Sequence, residues 1–168
     1  LQPDIIINDR SRLDEDFGTP EGHIEPREKD WEACMTFNDI SWGYVDSERA
    51  RPYSYSPQRI VKMLQTCCAK GGNLLLNIGP APDGSVPGEA VDPLTRVGRW
   101  LQENGEAVYG KLEKSVNRPG EYWSPTFGSG WTCGTSRKGN TIYLWNWIWP
   151  RSCEIGAGCY FSKPRRVH

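Results

Sequence analysis

Residues 56–80, SPQRIVKMLQTCCAKGGNLLLNIGP, predict a helix that is followed directly by a buried strand. Ser56 is a typical N-cap residue and Pro57 suits the first helical position, so the helix is expected to begin there. Apolar residues recur on one face at helical spacing, namely Ile60, Val61, Leu64, Cys67 and Cys68. Gly71 and Gly72 are expected to end the helix.

The flanking segments extend this alternation of helices and strands. The run NLLLN at residues 73–77 does not alternate with polar residues, which predicts a strand covered on both faces. Further strands are predicted at residues 5–8 and 31–37. A second helix is expected to reach about Asn104, with an apolar stripe of Val91, Leu94, Val97, Trp100 and Leu101. Pro93 is expected to delay its start, with Asp92 as N-cap.

This order of elements predicts an α/β fold with parallel strands, because crossover helices join strands that run the same way. Beyond residue 108 helical periodicity is lost, and short strands are predicted at 122–124, 132–136 and 141–147. We therefore predict two units, an α/β unit at residues 1–108 and part of an all-β domain at residues 109–168.

Composition narrows the function classes. The 168 residues carry a net charge of −1 with interspersed acids and bases, so neither a nucleic-acid nor a membrane electrostatic footprint is present. Six cysteines without a CxxC pair, and only two histidines, argue against a zinc site. Cys67 and Cys68 are expected in the core, whereas a Cys153–Cys159 pairing is left open. Eight tryptophans are typical of sugar-handling proteins, since an indole covers the C–H face of a pyranose, and the alternative for each of them is packing in the core or in a β-sheet.

The remaining signals concern how the sequence starts and whether it binds phosphate. The opening LQPDIIIN lacks the basic start of a signal peptide, and it enters on a strand without Met. We therefore expect a fragment of a longer protein. Neither GxxxxGK[ST] nor GxGxxG occurs, so a phosphate-binding loop is not expected.

Several separated strings resemble the retaining α-L-fucosidases. They are LQPDIIINDR, DFGTPEGHIE, WEACMTFNDISWGY, KGGNLLLNIGPAPDGSVP, GRWLQENGEAVYG and GNTIYLWNWIWP, which lie in family order over residues 1–150. The resemblance implies the second half of a (β/α)8-like barrel, followed by the start of a C-terminal antiparallel β-sandwich. It also implies hydrolysis of terminal α-L-fucosyl linkages with retention, by double displacement between two carboxylates.

Residues 14–32, DEDFGTPEGHIEPREKDWE, are the acidic loop in which a catalytic carboxylate is expected. Glu21 resembles the family's acid/base, which needs a raised pKa, and Glu32 is the second candidate as a carboxylate of the sugar site. The other acids are expected to be solvated, namely Asp14, Glu15, Asp16, Glu25, Glu28 and Asp30. His23 is expected to be a loop residue.

Two further residues match sugar-contacting positions of the family. Arg10 resembles an arginine beside the nucleophile, and its alternative is an ion pair with Asp9 or with the acidic loop. Trp42 resembles an aromatic residue that packs against fucose, and its alternative is packing inside the barrel. No residue of this sequence resembles the family's nucleophile. The motif at Asp9 resembles the strand that follows the nucleophile strand in the family. The chain alone is therefore expected to be inert.

The resemblance implies fucosylated glycans as substrates and no cofactor or metal. It also implies a secreted, periplasmic or lysosomal location, and it leaves the oligomeric state open. Two alternatives remain, namely a sugar-binding module or pseudoenzyme that uses the tryptophans without hydrolysis, and an unrelated barrel glycosidase acting on another sugar.

Overall fold

A computed structural model describes residues 2–13, 15–46, 55–110, 112–113 and 133–146. A 3-10 turn (Asp9–Ser11) precedes strands β1 (Phe17–Gly18) and β2 (Asp30–Thr36), helix α1 (Pro57–Ala69), strand β3 (Asn73–Asn77), helix α2 (Gly88–Asn104), a second 3-10 turn (Gly105–Ala107) and strands β4 (Cys133–Lys138) and β5 (Thr141–Asn146). β1, β2 and β3 are neighbours in one parallel sheet. The predicted α/β class is thereby confirmed, whereas the half-barrel, the sandwich and the boundary at 108 stay predictions.

The core lies between this sheet and the helices. Trp31, Ala33 and Met35 share one face of β2 and are at most 6% exposed. They belong to one buried cluster with Ile60 and Cys67 of α1. Of the five residues predicted for the apolar face of α1, Ile60, Val61 and Cys67 are buried. Leu64 and Cys68 are only partly buried and pack against this cluster, so Cys68 lies at the edge of the core and not inside it as expected.

Both ends of α1 are where the sequence places them. The Ser56 side chain accepts a hydrogen bond from the backbone N–H of Arg59 at 3.2 Å. At the other end Gly71 has φ +74°, and the N–H of Gly72 reaches the carbonyl of Cys67 at 2.8 Å. These bonds form the glycine-terminated C-cap that satisfies the last carbonyls of a helix.

Removing the Ser56 cap is expected to lower the free energy of unfolding by about 1 kcal/mol. In Ser56→Ala the N–H of Arg59 loses its acceptor, whereas Ser56→Asp keeps an oxygen at the same place and should stay close to wild type. Chemical denaturation of both variants measures the difference. Equal stability of the two variants would contradict the capping role.

The strand expected at residues 5–8 is absent, which corrects that prediction. Ile5, Ile6 and Ile7 are 56%, 73% and 40% exposed, and Asn8 makes a single parallel bridge to Phe17. A strand needs hydrogen-bonded neighbours along its length, and the described residues supply this segment with one bridge only.

Three expectations about the other elements are also wrong. Leu75 in β3 is 40% exposed, so the described part of the chain does not cover both faces of that strand. Helix α2 begins at Gly88 and contains Pro93, without a late start at Asp92. As its sixth residue, the proline removes one hydrogen bond only. Val91, predicted in the apolar stripe of this helix, is 48% exposed, and the buried residue of that turn is Ala90.

The predicted hairpin after residue 132 is present. β4 and β5 pair antiparallel through a turn at Gly139 and Asn140. Trp145 packs against Trp100 of α2, with ring centroids 5.4 Å apart. The strand expected at 122–124 and the Cys153–Cys159 pair lie outside the described residues. No helix in the described ranges has the length and apolar character needed to cross a bilayer.

Candidate active site

Polar residues gather at the carboxyl edge of the parallel sheet. Arg10 follows the segment at residues 5–8, Glu21 lies beyond β1, Trp42 lies beyond β2 and Asn77 ends β3. Because parallel strands end at the same edge, residues far apart in sequence meet there, as they do in α/β enzymes. We call the contacting residues Arg10, Glu21 and Trp42 the carboxylate cluster.

Backbone hydrogen bonds fix Glu21 against β2. Glu21 forms a parallel bridge with Cys34. The N–H of Gly22 donates to the Cys34 carbonyl at 2.9 Å, and the N–H of Cys34 donates to the Pro20 carbonyl at 2.8 Å. The backbone at Glu21 is therefore held by the sheet and not by a free loop.

Both carboxylate oxygens of Glu21 are engaged. Arg10 Nη1 donates to Oε2 at 2.6 Å, and the indole N–H of Trp42 donates to Oε1. The Glu21 side chain is 41% exposed, so a ligand can reach it. Three of the four residues proposed from the sequence are in direct contact, and Arg10 pairs with the acidic loop through Glu21 and not with Asp9.

The electrostatics of Glu21 differ from the sequence expectation. The Arg10 hydrogen bond, followed by that of Trp42, lowers the pKa of Glu21 below its usual value. A general acid needs a raised pKa, so this arrangement holds Glu21 as an ionised carboxylate. The reason is that a guanidinium lies on one oxygen while no second negative charge opposes it within the contacts described.

Glu32 lies on β2, two residues before Cys34. It alternates with the buried Trp31 and Ala33 and so shares the opposite β2 face with Cys34. Burial raises the pKa of the Cys34 thiol, and the nearby charge of Glu32 raises it further, while Arg10 opposes both. Glu32 therefore lies in the electrostatic surroundings of the carboxylate cluster, although its partner in the sheet is Asn73.

The structure adds Asp9 and Thr19 to the site. Asp9 Oδ1 accepts from the N–H and from the hydroxyl of Thr19, at 3.0 and 2.6 Å. Thr19 in turn accepts Arg10 Nε at Oγ1 (2.8 Å) and Arg10 Nη2 at its carbonyl (3.3 Å). The Thr19 hydroxyl lowers the pKa of Asp9. Both residues stand beside Arg10 and Glu21 in the sequence, but spacing alone does not indicate which donor meets which acceptor.

The loop that carries Trp42 is held by side chains at the ends of β2 and β3. Asn38 Oδ1 accepts from two backbone N–H groups of this loop at 2.9 Å. Asn77 Nδ2 donates to the Trp42 carbonyl at 2.8 Å. Gly79 has φ +56°, and a Cβ there would stand 2.6 Å from the Gly43 carbonyl oxygen, so only glycine allows this approach. Trp42 is 41% exposed in the described part of the chain.

Trp42→Phe is expected to raise the pKa of Glu21, because the carboxylate loses one of its two donors while the ring is kept. A ¹³C NMR titration of the Glu21 carboxyl group measures this shift. Trp100→Phe changes a tryptophan of the α2–β5 contact and should leave the midpoint where it is. A titration curve that Trp42→Phe does not move would contradict the role of the indole N–H.

His23 lies in an irregular segment between β1 and β2, as expected for a loop residue. The His23 ring lies between the Glu21 carbonyl and the Glu25 carboxylate and is 54% exposed at its side chain. Asp14 lies outside the described residues. Among the residues that are described, no group of three His, Cys, Asp or Glu side chains is placed to hold a metal ion.

Comparison with known proteins gives this cluster a family context. Residues 1–106 match the family model described as Alpha-L-fucosidase, which is more than half of the 168 residues. The chain belongs to the α-L-fucosidase family. The predicted resemblance is thereby confirmed.

Relatives of known sequence support this assignment. The α-L-fucosidase of Branchiostoma floridae is 33% identical over 135 residues, which cover 80% of this chain and 28% of that protein. The plasma α-L-fucosidase of Rattus norvegicus is 42% identical over 88 residues, or 52% of this chain and 18% of that protein. The chain thus spans less than a third of the length of these relatives.

Solved structures agree with the sequence comparison. The α-L-fucosidase isoenzyme 1 from Paenibacillus thiaminolyticus superposes with a TM-score of 0.61 and 33% identity, covering 76% of this chain and 29% of that one. The α-L-fucosidase from Vibrio sp. strain EJY3 gives a TM-score of 0.65 and 29% identity, covering 85% of this chain and 24% of that one.

Proposed function

We propose that this chain carries the acid/base side of the active site of a retaining α-L-fucosidase. The observation that carries the proposal is the Glu21 carboxylate, fixed to the sheet and bonded by Arg10 and Trp42 at an exposed edge. The parallel sheet and its site at the carboxyl edge also support placement in the second half of a (β/α)8-like barrel, with β4 and β5 opening a β-sandwich.

In this proposal Glu21 protonates the leaving-group oxygen and later removes a proton from water. A second carboxylate, about 5–5.5 Å away in retaining glycosidases, attacks the anomeric carbon and forms a glycosyl-enzyme ester. Its negative charge would raise the pKa of Glu21 and would compete for Arg10. Glu21 would then be protonated in the resting enzyme, although Arg10 alone holds it ionised.

The second carboxylate is proposed to come from residues outside these 168. Both donors of Thr19 bind Oδ1 of Asp9, and the motif at Asp9 resembles the strand that follows the nucleophile strand in the family. Glu32 pairs with Asn73 in the sheet and shares its face of β2 with Cys34, whereas the two oxygens of Glu21 are bonded by Arg10 and Trp42. We therefore expect the 168-residue chain alone to bring no turnover of an aryl α-L-fucoside.

The substrate is proposed to be a fucosylated glycan or glycoconjugate. Arg10 would donate to sugar hydroxyls, and the exposed indole of Trp42 would cover the apolar side of fucose near its methyl group. Glu32 would be a further carboxylate of the sugar site. No residue described here calls for a cofactor in this reaction.

Hydrolysis of 4-nitrophenyl α-L-fucoside by the complete gene product that contains these residues tests the proposal. Proton NMR during turnover should show α-L-fucose as the first product, because two displacements restore the configuration. A first product of β configuration would contradict the double displacement. Saturable fucose binding without turnover would replace hydrolysis by a binding role.

A further inference from the structure

We propose that Thr19 is a positioning residue which, with Asp9, fixes the plane of the Arg10 guanidinium and so directs its Nη1 toward Glu21. The inference rests on the acid/base role proposed for Glu21. It adds a residue that neither contacts a sugar nor exchanges a proton, and it acts through Arg10.

The geometry of Arg10 supports this role. Its side chain is 51% exposed, and a long exposed side chain loses rotamer freedom when it is held in one place. Nε and Nη2 form one edge of the guanidinium, and both donate to Thr19, the first to Oγ1 and the second to the carbonyl. Two bonds to one residue fix both the position and the plane of the group. Nη1 then donates to Glu21 Oε2 at 2.6 Å.

Asp9 decides the direction of the Thr19 hydroxyl. An ionised carboxylate accepts only, so the hydroxyl hydrogen of Thr19 must lie on Asp9 Oδ1. The lone pairs of the same oxygen are then free to accept Arg10 Nε. Asp9 also accepts the backbone N–H of Thr19, which holds the whole residue in place. The result is an oriented chain of hydrogen bonds from Asp9 through Thr19 and Arg10 to Glu21.

Thr19 is suited to this task by its burial. It is 8% exposed, whereas Arg10 and Glu21 are about half exposed at their side chains. A buried hydroxyl with fixed donor and acceptor directions is a rigid support, and charge-assisted hydrogen bonds are the stronger ones. Arg10 and Glu21, at the exposed end of this chain of hydrogen bonds, remain accessible to a ligand.

Thr19→Ala removes the hydroxyl, and Thr19→Ser keeps it. In the complete gene product we expect Thr19→Ala to lower kcat/KM about 10-fold on an alkyl α-L-fucoside, the loss expected for a hydrogen bond to a charged group. Thr19→Ser should stay within about 2-fold of wild type. Thr19→Val, which keeps the volume, is the second variant should Thr19→Ala fail to fold.

The pH profile separates positioning from a general structural defect. The basic limb of kcat/KM reports the pKa of the general acid in the free enzyme. Arg10 lowers the pKa of Glu21, so a loosened Arg10 lets that pKa rise and moves the basic limb to higher pH. A merely structural defect lowers the rate without moving the limb. Thr66→Val is the matched control, because Thr66 is 6% exposed and its hydroxyl donates to the Lys62 carbonyl within α1.

The outcomes separate this inference from the function on which it rests. An upward shift of the basic limb in Thr19→Ala, restored by Thr19→Ser, supports the positioning role. An unmoved limb, or a Thr19→Ser variant as impaired as Thr19→Ala, overturns it even when Glu21→Ala is inactive. Full activity of Glu21→Ala overturns both the proposed function and the role of Thr19.

Discussion

Glu21→Ala in the complete gene product is expected to lower kcat about 10²–10⁴-fold on fucosides whose leaving groups need protonation, the range that general acid catalysis contributes. The structure gives the physical reason for choosing this residue among the acids of the loop. The Glu21 carboxylate is 41% exposed, it is bonded by Arg10 and Trp42, and its backbone is bridged to β2. The measurement is steady-state kinetics on an alkyl and a 2,4-dinitrophenyl α-L-fucoside.

The two substrates are expected to respond differently. A dinitrophenolate leaves without protonation, so the first step should be nearly unaffected and the missing base should slow the second step instead. Azide needs no general base, and it should therefore restore turnover of the dinitrophenyl substrate and form a fucosyl azide of retained configuration. Rescue by a small anion also proves that the variant is folded.

The matched control for this prediction is Glu25→Ala. Glu25 lies four residues further along the same loop, is 52% exposed at its side chain and pairs with Arg27 at 2.9 Å. Loss of a solvated carboxylate should leave both substrates at wild-type rates. If Glu25→Ala were as impaired as Glu21→Ala, or if azide restored nothing, the acid/base role would have to move to another carboxylate.

The sequence was sufficient to predict the features that depend on interactions between neighbouring residues, such as the ends of α1. The cap at Ser56 and the stop at Gly71 depend on neighbours within a few residues, and both are found as predicted. The apolar face of α1 is buried at three of its five predicted residues. The prediction of a strand at residues 5–8 was wrong because an apolar run does not reveal whether neighbouring strands lie on either side of it. The prediction that Pro93 delays the start of α2 was wrong, because the packing of α2 outweighed the preference of proline for the first helical turn.

The candidate site divides in the same way. Arg10, Glu21 and Trp42 could be chosen from motifs that resemble the family, and the structure brings them into contact. The direction of the Glu21 pKa could not be predicted, because it depends on which donors meet the carboxylate in space. Thr19 could not be predicted either, since a threonine gives no sign in sequence of what its hydroxyl will accept.

Gly72→Ala is expected to lower the free energy of unfolding by about 3 kcal/mol, the upper part of the range for overpacking a core. A Cβ at Gly72 would stand 2.2 Å from Cε2 of Trp31, and atoms do not approach so closely. Trp31 is 1% exposed in the centre of the core, so its ring has no open direction in which to move. Either β3 or the indole must shift, and either shift opens the packing between the sheet and α1.

The partner of the clash can be identified by combining Gly72→Ala with Trp31→Phe. Trp31→Phe alone costs stability by leaving a cavity, but in the double variant the smaller ring makes room for the new methyl group. The double variant should therefore lose less unfolding free energy than the two single variants lose together, by about 1 kcal/mol or more for residues in contact. Strict additivity in chemical denaturation would mean that the methyl group meets something other than Trp31.

Gly98→Ala separates this contact from the general effect of replacing a glycine. A Cβ at Gly98 meets no atom within 4 Å, and Gly98 lies in the interior of α2. Alanine there should raise the free energy of unfolding by about 0.5–1 kcal/mol, because it restricts the unfolded chain and favours the helix. Two identical substitutions, 26 residues apart, should thus change stability in opposite directions. The difference would show that Gly72 is required by the approach of one indole ring, on the strand that also carries Cys34 and thereby holds Glu21 in place.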